Sequence, residues 1–312
     1  MKTPLNRWNA RLAGVLLLLL SGCAGTPVLS PEASHRLPAS AHVGGVPFHG
    51  QRDFQCGPAS LAMVLNASGV PVGVDELIPQ VFLPGREGSV QPEMLATVRR
   101  HGRIGYPLPG GLDNLLGELA AGHPVVVLQN LSLPAWPLWH YAVVTGYDRD
   151  RQLLIHHSGE QARQPIAMGR FDATWARSGR WAMVALPPGT LPATLGPAQA
   201  AESIAAFEPV AGAEAALPSW QALVARWPDY APGWFALGNA HHDSGSNDAA
   251  VAAFRRATQQ DPQLAAAWLN LGLLWSALDH PREAAEALAR AAELEGPFQT
   301  QARQALAQLA AP

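Results

Sequence analysis

Apolar positions follow several distinct rhythms along the chain. Residues 12–20 form an apolar run behind Lys2, Arg7 and Arg11. It is far shorter than the roughly 20 residues a membrane-spanning helix needs, so the start of the chain reads as a secretory signal and not an anchor helix. Leu61, Val64 and Leu65 supply a helical stripe that begins near Pro58 and ends at Gly69, with Cys56 at the N-terminal end. Farther on, Tyr141 to Tyr147 has strand composition, "DRDR" at 148–151 is a four-residue turn, and Gln152 to His157 is a second strand. Pairing Tyr147 with Gln152 sets Ala142 opposite His157 and Val143 opposite His156. Since side chains alternate along a strand, His140, Ala142 and His157 then share one face and His156 the other. A one-residue slip in that register exchanges the two histidines.

The last third of the chain repeats. Pro228 and Pro262, Trp234 and Trp268, Gly238 and Gly272, Ala250 and Ala284, and Phe254 and Leu288 are all 34 residues apart. One period earlier, Ala216, Trp220 and Leu223 fall under Ala250, Phe254 and Ala257, marking a divergent first unit. The period and its Trp, Gly, Ala and Pro positions resemble the tetratricopeptide repeat, in which stacked helical hairpins bury one another's apolar faces and three units are about the minimum for stability. His241 and His242 fall inside a repeat helix and read as structural or solvent-facing. The expected division is a signal at 1–22, a tether at 23–45 rich in Pro, Ala and Ser, a mixed α/β segment at 46–186, a linker at 187–198 and repeats at 199–312.

Charge and cysteine usage narrow the setting. Residues 1–22 hold three of the 21 basic side chains and no acidic ones, so the remainder carries 18 basic against 24 acidic groups, a net charge of −6. This argues against nucleic-acid and anionic-lipid binding. "LSGC" at 20–23 resembles the bacterial lipobox, which makes Cys23 the lipidated mature N-terminus. Ala24 follows it in place of the aspartate associated with inner-membrane retention, so the resemblance implies anchoring at the outer membrane, facing the periplasm. With Cys23 on a tether, the other cysteine, Cys56, is expected to be free. No second nearby cysteine and no histidine pair at ligand spacing stands beside it, so no metal site and no cofactor is expected.

At a helix N-terminus, Cys56 meets partial positive charge that favours its anion, making it a candidate nucleophile near neutral pH. "VPFHGQRDFQCGPASLAMVL", "GELAAGHPVVVLQN" and "WHYAVVTGYD" together resemble the papain-like cysteine peptidases that trim double-glycine leaders from bacteriocins, over about residues 46–186. The resemblance implies an α+β papain-like fold, Cys56 as nucleophile, His140 as general base and acid, and Gln51 as side-chain donor of an oxyanion hole whose second donor is the Cys56 N–H. Such roles have a physical basis. The imidazole takes the thiol proton and returns it to the leaving amine, and the donors stabilise an oxygen anion that exists only near the transition state. Gln55, beside the thiol, is a less well spaced donor than Gln51.

The family usually sets an aspartate at the end of the strand after the histidine strand, where it orients the imidazole. Here that place reads "IHHSG", and Asp148, about eight residues along from His140, is too far to substitute. His157 is the expected third member; Ser158 or a main-chain carbonyl are alternatives. No Walker-type loop occurs, and Lys2 is the only lysine. The expectation is an envelope-anchored cysteine peptidase hydrolysing peptide bonds, with a tetratricopeptide stack docking a protein or peptide. The alternatives are a non-catalytic peptidase-like scaffold that binds peptides, and acyl transfer or hydrolysis on a non-protein amide.

Overall fold

The computed structural model describes residues 28–50, 55–86 and 88–310; the signal segment, Cys23 and Gln51 lie outside them. In chain order the first elements are α1 (Pro31–Arg36), β1 (Ser40–His42), α2 (Cys56–Ala67), α3 (Val74–Val81), β2 (Phe82–Leu83), β3 (Gly88–Ser89) and α4 (Gln91–Arg100). There follow β4 (Ile104–Leu108), α5 (Leu112–Ala120), β5 (Val125–Asn130), β6 (Trp139–Asp148), β7 (Leu153–Ser158), β8 (Gln161–Ala167), α6 (Met168–Ala176) and β9 (Ala182–Leu186). The helical part comprises α7 (Pro197–Ala211), α8 (Ala213–Arg226), α9 (Ala231–Asp243), α10 (Asn247–Gln260), α11 (Ala265–Ala277), α12 (Pro281–Glu293) and α13 (Gln299–Leu309).

The main sheet is antiparallel throughout, in the order β4-β9-β5-β6-β7-β8, with β1 pairing the far end of β6 in line with β5. "VVVLQN" in β5 is buried along its whole length. A β-branched run of this kind suits a central strand covered on both faces. One face, carrying Val126, Leu128, Tyr141, Val143 and Met183, packs against α2 and α4. The other, carrying Val125, Val127, Ala142, Val144 and Val184, packs against α5 and α6.

Residues 30–43 fall in the stretch expected as a tether. They fold onto the sheet: Ala33 and Leu37 of the α1 region are core residues, and β1 pairs Ser40 with Asp148 and His42 with Gly146. Gly146 permits that pairing, because a Cβ there would stand 2.7 Å from the Ala41 carbonyl oxygen. Arg149 secures the segment through the carbonyls of Leu37 and Ser34.

The helices form three hairpins, α7/α8, α9/α10 and α11/α12, closed by α13. The 34-residue spacing has a visible cause. Trp234 Nε1 donates to the Pro228 carbonyl and Trp268 Nε1 to the Pro262 carbonyl, so Trp and Pro recur as bonded pairs. Gly238 leaves room for the Phe254 ring and Gly272 for Leu288, where a Cβ would meet them at 2.5 and 2.6 Å.

The two parts share one core. The cluster on the α5 face of the sheet continues through Ile204, Phe207, Ala216, Trp220 and Leu223 of the first hairpin. The connecting residues, expected as a linker because of their Pro, Gly and Ala content, are pinned. Glu118, fully buried, accepts from His123 Nδ1 at 2.7 Å and from the Thr194 amide and hydroxyl at 2.8 and 2.7 Å. Arg226 reaches the carbonyls of Pro192 and Ala193. The Glu118 carboxyl is held below its usual range by these donors, against the opposing effect of its burial.

Candidate active site

Cys56 opens α2, with Gln55 as the capping residue and Pro58 in the first turn, where a missing N–H leaves no intrahelical bond unmade. Gly57 follows because Ser89 of the β2/β3 hairpin packs directly on it, with Oγ 2.2 Å from where a Cβ would lie. The thiol is partly buried and unpaired with any other cysteine. Three main-chain N–H groups, those of Tyr141, Gly57 and Cys56 itself, bond toward the sulfur and favour its anion. Burial outweighs them and pushes the Cys56 thiol up. The expectation of a thiol lowered by the helix N-terminus is thus reversed: removing the sulfur from water costs the anion more than the amides return.

The Tyr141 amide belongs to the peptide unit that joins His140 to Tyr141, so the sulfur lies against the main chain at the start of β6. It arrives from the α2 side, the side of Tyr141 and Val143. His140 leaves the strand one residue earlier, on the side of Ala142 and Val144. Its Nε2 stands 2.8 Å from Ser158 Oγ. Burial, and then the neighbouring His156, lower His140 to about 4. Near neutral pH the resting pair is therefore a thiol and a neutral imidazole. The sulfur is engaged by an amide, the ring by a hydroxyl.

The strand register departs from the expected one and changes which histidine faces His140. Val143 pairs with His157 and Val144 with His156; Thr145 then bulges, and Gly146 pairs with Ile155. An extra residue in one strand moves every partner beyond it by one position. His157 consequently stands on the opposite face from His140. It accepts from the Arg163 amide at Nδ1, bonds the Val46 main chain, and packs against the Phe48 ring at 5.5 Å. His156 shares the His140 face, its Nδ1 donating to the Gln164 carbonyl. The group that meets the His140 ring is Ser158 and not His157. A hydroxyl can fix the ring's orientation, but it supplies no negative charge to stabilise an imidazolium.

Tyr141 completes the wall beside the thiol, its hydroxyl directed at the Ser89 carbonyl and its ring edge-on to Trp181 at 5.8 Å. Glu93 of α4 and Cys56 both act on the phenol, which burial has already pushed up strongly. No sequence pattern marked Ser89 or Glu93, because they come from separate elements and meet the Tyr141 phenol only through packing. The loop of residues 131–138 leads directly into Trp139 and His140. Asn130 supports its base, with Oδ1 accepting from the amides of Ser132 and Leu138, each at 3.0 Å.

Residues 43–183 match the Peptidase_C39 like family, and residues 238–278 match a TPR repeat. No curated protein matches the chain. Among solved structures, the crystal structure of MamA is 20% identical, with a TM-score of 0.34, over 36% of this chain and 66% of its own. The TPR2B-domain:pHsp70-complex of yeast Sti1 is 19% identical, with a TM-score of 0.34, over 36% and 94% of the respective chains. The Type III secretion translocator chaperone SycD of Yersinia enterocolitica is 18% identical, with a TM-score of 0.32, over 36% and 79%. With its antiparallel sheet between helical layers and its stacked hairpins behind, the chain carries a Peptidase_C39-like domain followed by a tetratricopeptide repeat.

Proposed function

We propose that the Peptidase_C39-like domain is a thiol peptidase with Cys56 as nucleophile and His140 as base, and that Ser158 orients the His140 ring. The observation carrying this reading is the sulfur at the head of α2, lodged against the His140–Tyr141 peptide unit and flanked by three amides. The His140 ring, held at rest by Ser158 on the Ala142 side of the strand, must turn to the Cys56 side at the start of β6 for a ring nitrogen to take the thiol proton as sulfur attacks a peptide carbonyl. The oxygen anion formed would be met by the Cys56 N–H and the Gln51 side chain. The proton passes to the departing amine, and water then cleaves the thioester. Removing a general base of this kind costs about 100-fold or more.

The test is labelling by a peptidyl electrophile, and hydrolysis of a peptide library, by the chain beginning at residue 24. Cys56→Ser should abolish labelling, and His140→Ala should slow it at least about 100-fold. Labelling undiminished in His140→Ala removes the pair.

One observation favours a second reading, a peptide-binding domain without turnover: the resting thiol is pushed up and the imidazole held to about 4. That reading requires peptide binding by wild type and by Cys56→Ser alike, with no hydrolysis at any pH. In either case the helical stack, fused to the Peptidase_C39-like domain through a shared core, is a docking arm for a protein or peptide partner. The lipobox resemblance supports a chain anchored through Cys23 at the periplasmic face of the outer membrane. Acyl labelling that persists in Cys23→Ala would refute that anchor.

A further inference from the structure

Among the described residues, nine large apolar side chains stand exposed, and five of them, Leu131, Leu133, Trp136, Leu138 and Trp139, lie within nine consecutive positions. Trp136 is 76% exposed and Leu133 61%. The sequence "NLSLPAWPLW" of residues 130–139 contains no ionisable side chain. A patch of this kind is uncommon on a surface that meets only water.

The loop is also built to leave water cheaply. The Leu131 amide donates to the Leu138 carbonyl, the Trp136 amide to the Leu133 carbonyl, and the amides of Ser132 and Leu138 to Asn130 Oδ1. Pro134 and Pro137 have no N–H to satisfy. At the base, the Arg177 guanidinium donates to the carbonyls of Asn130 and Ser132. Four of the six N–H groups in residues 131–138 are thus bonded within the loop and its stem. A partner that pairs along the main chain would find little to pair with, whereas an apolar medium requires this self-satisfaction. Tryptophan and leucine at a tip above an arginine match the order of acyl boundary and headgroup in a lipid surface.

The geometry points to residues 131–139 as a tip that inserts into the interface of a phospholipid bilayer and so presents the neighbouring Cys56–His140 site to polypeptide close to the membrane surface. The insertion is independent of whether Cys56 is catalytic. It does not rest on the acyl chains: Val28, the first described residue, lies with Arg149 and Asp150 at the β6–β7 turn, the opposite end of β6 from Trp139.

The experiment uses the acyl-free chain from residue 24 and sedimentation with vesicles of uncharged phosphatidylethanolamine–phosphatidylcholine, since the net charge of −6 disfavours anionic lipid. Wild type is expected to co-sediment, and Leu133→Ser with Trp136→Ser to lower the partition coefficient about tenfold or more. Phe298→Ser, an exposed apolar site on the helical stack, is expected to leave it unchanged. Quenching of tryptophan fluorescence by bromolipid, reduced in Trp136→Phe and lost when Trp139→Phe is added, locates the tip. A wild type that stays in the supernatant, or a double variant that binds undiminished, overturns the inference. So does a double variant that raises KM for a peptide in the absence of any vesicle association, since that assigns the loop to a polypeptide. Unchanged Cys56 labelling in the double variant without vesicles shows that the fold is intact and keeps this result separate from the thiol reading.

Discussion

Replacing Ser158 with aspartate sets a carboxylate where a hydroxyl now meets His140 Nε2 at 2.8 Å. In the wild type, moving the proton from Cys56 to His140 is uphill by the gap between their pKa values. The thiol stands above its ordinary 9.0 and the imidazole at about 4. Nine less four gives a gap of at least about 5, and at about 1.36 kcal/mol for each the separated thiolate and imidazolium lie ~7 kcal/mol or more above the neutral pair, before their mutual attraction is counted. Without that attraction the ionised population is below about 1 in 100,000. An opposite charge in contact raises an imidazole by roughly 1–3, so Ser158→Asp should enrich the ion pair about 10- to 1000-fold. Two measurements read this. In NMR titration His140 should move from about 4 in the wild type toward 5–7 in the variant. The rate of Cys56 alkylation by iodoacetamide should keep falling about tenfold for each pH step down to pH 5 in the wild type, and level off at a higher floor in the variant. A wild-type His140 that titrates near 6.5, or a folded Ser158→Asp in which neither quantity moves, refutes the claim that a missing counter-charge keeps the pair neutral.

Other expected outcomes concern stability. Glu118→Gln removes a buried charge that accepts three hydrogen bonds from His123 and Thr194, and should cost about 2–4 kcal/mol in urea unfolding; a loss under about 0.5 kcal/mol would show that the clasp between sheet and repeats is idle. His140, His156 and His157 are all lowered by burial, so below pH 6.5, and for His140 down to about pH 4, the unfolded chain binds protons the folded one refuses. Their stabilising contribution is complete above pH 6.5 and declines as pH falls through that window, by up to about 3 kcal/mol for His140 alone; urea midpoints that stay level from pH 7 to 4.5 would contradict this. Gly238→Ala drives a methyl group to 2.5 Å from the Phe254 ring and should destabilise the stack by about 1–3 kcal/mol, read from the thermal transition, whereas Gly44→Ala, where a Cβ meets nothing, should be close to neutral.

Local chemistry was legible in the sequence where neighbours in the chain are also neighbours in space. The 34-residue repeat is of this kind: Trp234 bonds Pro228 six residues away, and the Gly238–Phe254 contact closes within one hairpin. The head of α2 at Cys56 was legible for the same reason, since a helix start depends on the residues around it. The family resemblance carried by the segments around Cys56 and His140 likewise pointed to the domain that residues 43–183 match.

Only the tertiary structure decided which side chain meets His140. Strand alternation has a period of two, so a single bulge at Thr145, invisible in composition, turned His157 away and left Ser158 against the ring. Burial likewise sums over residues far apart in the chain: the amides around Cys56 and its helix start both favour the thiolate, yet α2, β6 and the β2/β3 hairpin together exclude enough water to raise the thiol. The segments at 30–43 and 187–196 read as tether and linker because Pro, Ala and Gly carry little local preference for burial. Their fate was settled by partners more than 30 residues away, Arg149 for the first and Glu118 and Arg226 for the second. The sequence by itself determined the kinds of element and the candidate nucleophile and base; the packing determined their charge state, their partners and the union of two expected domains around one core.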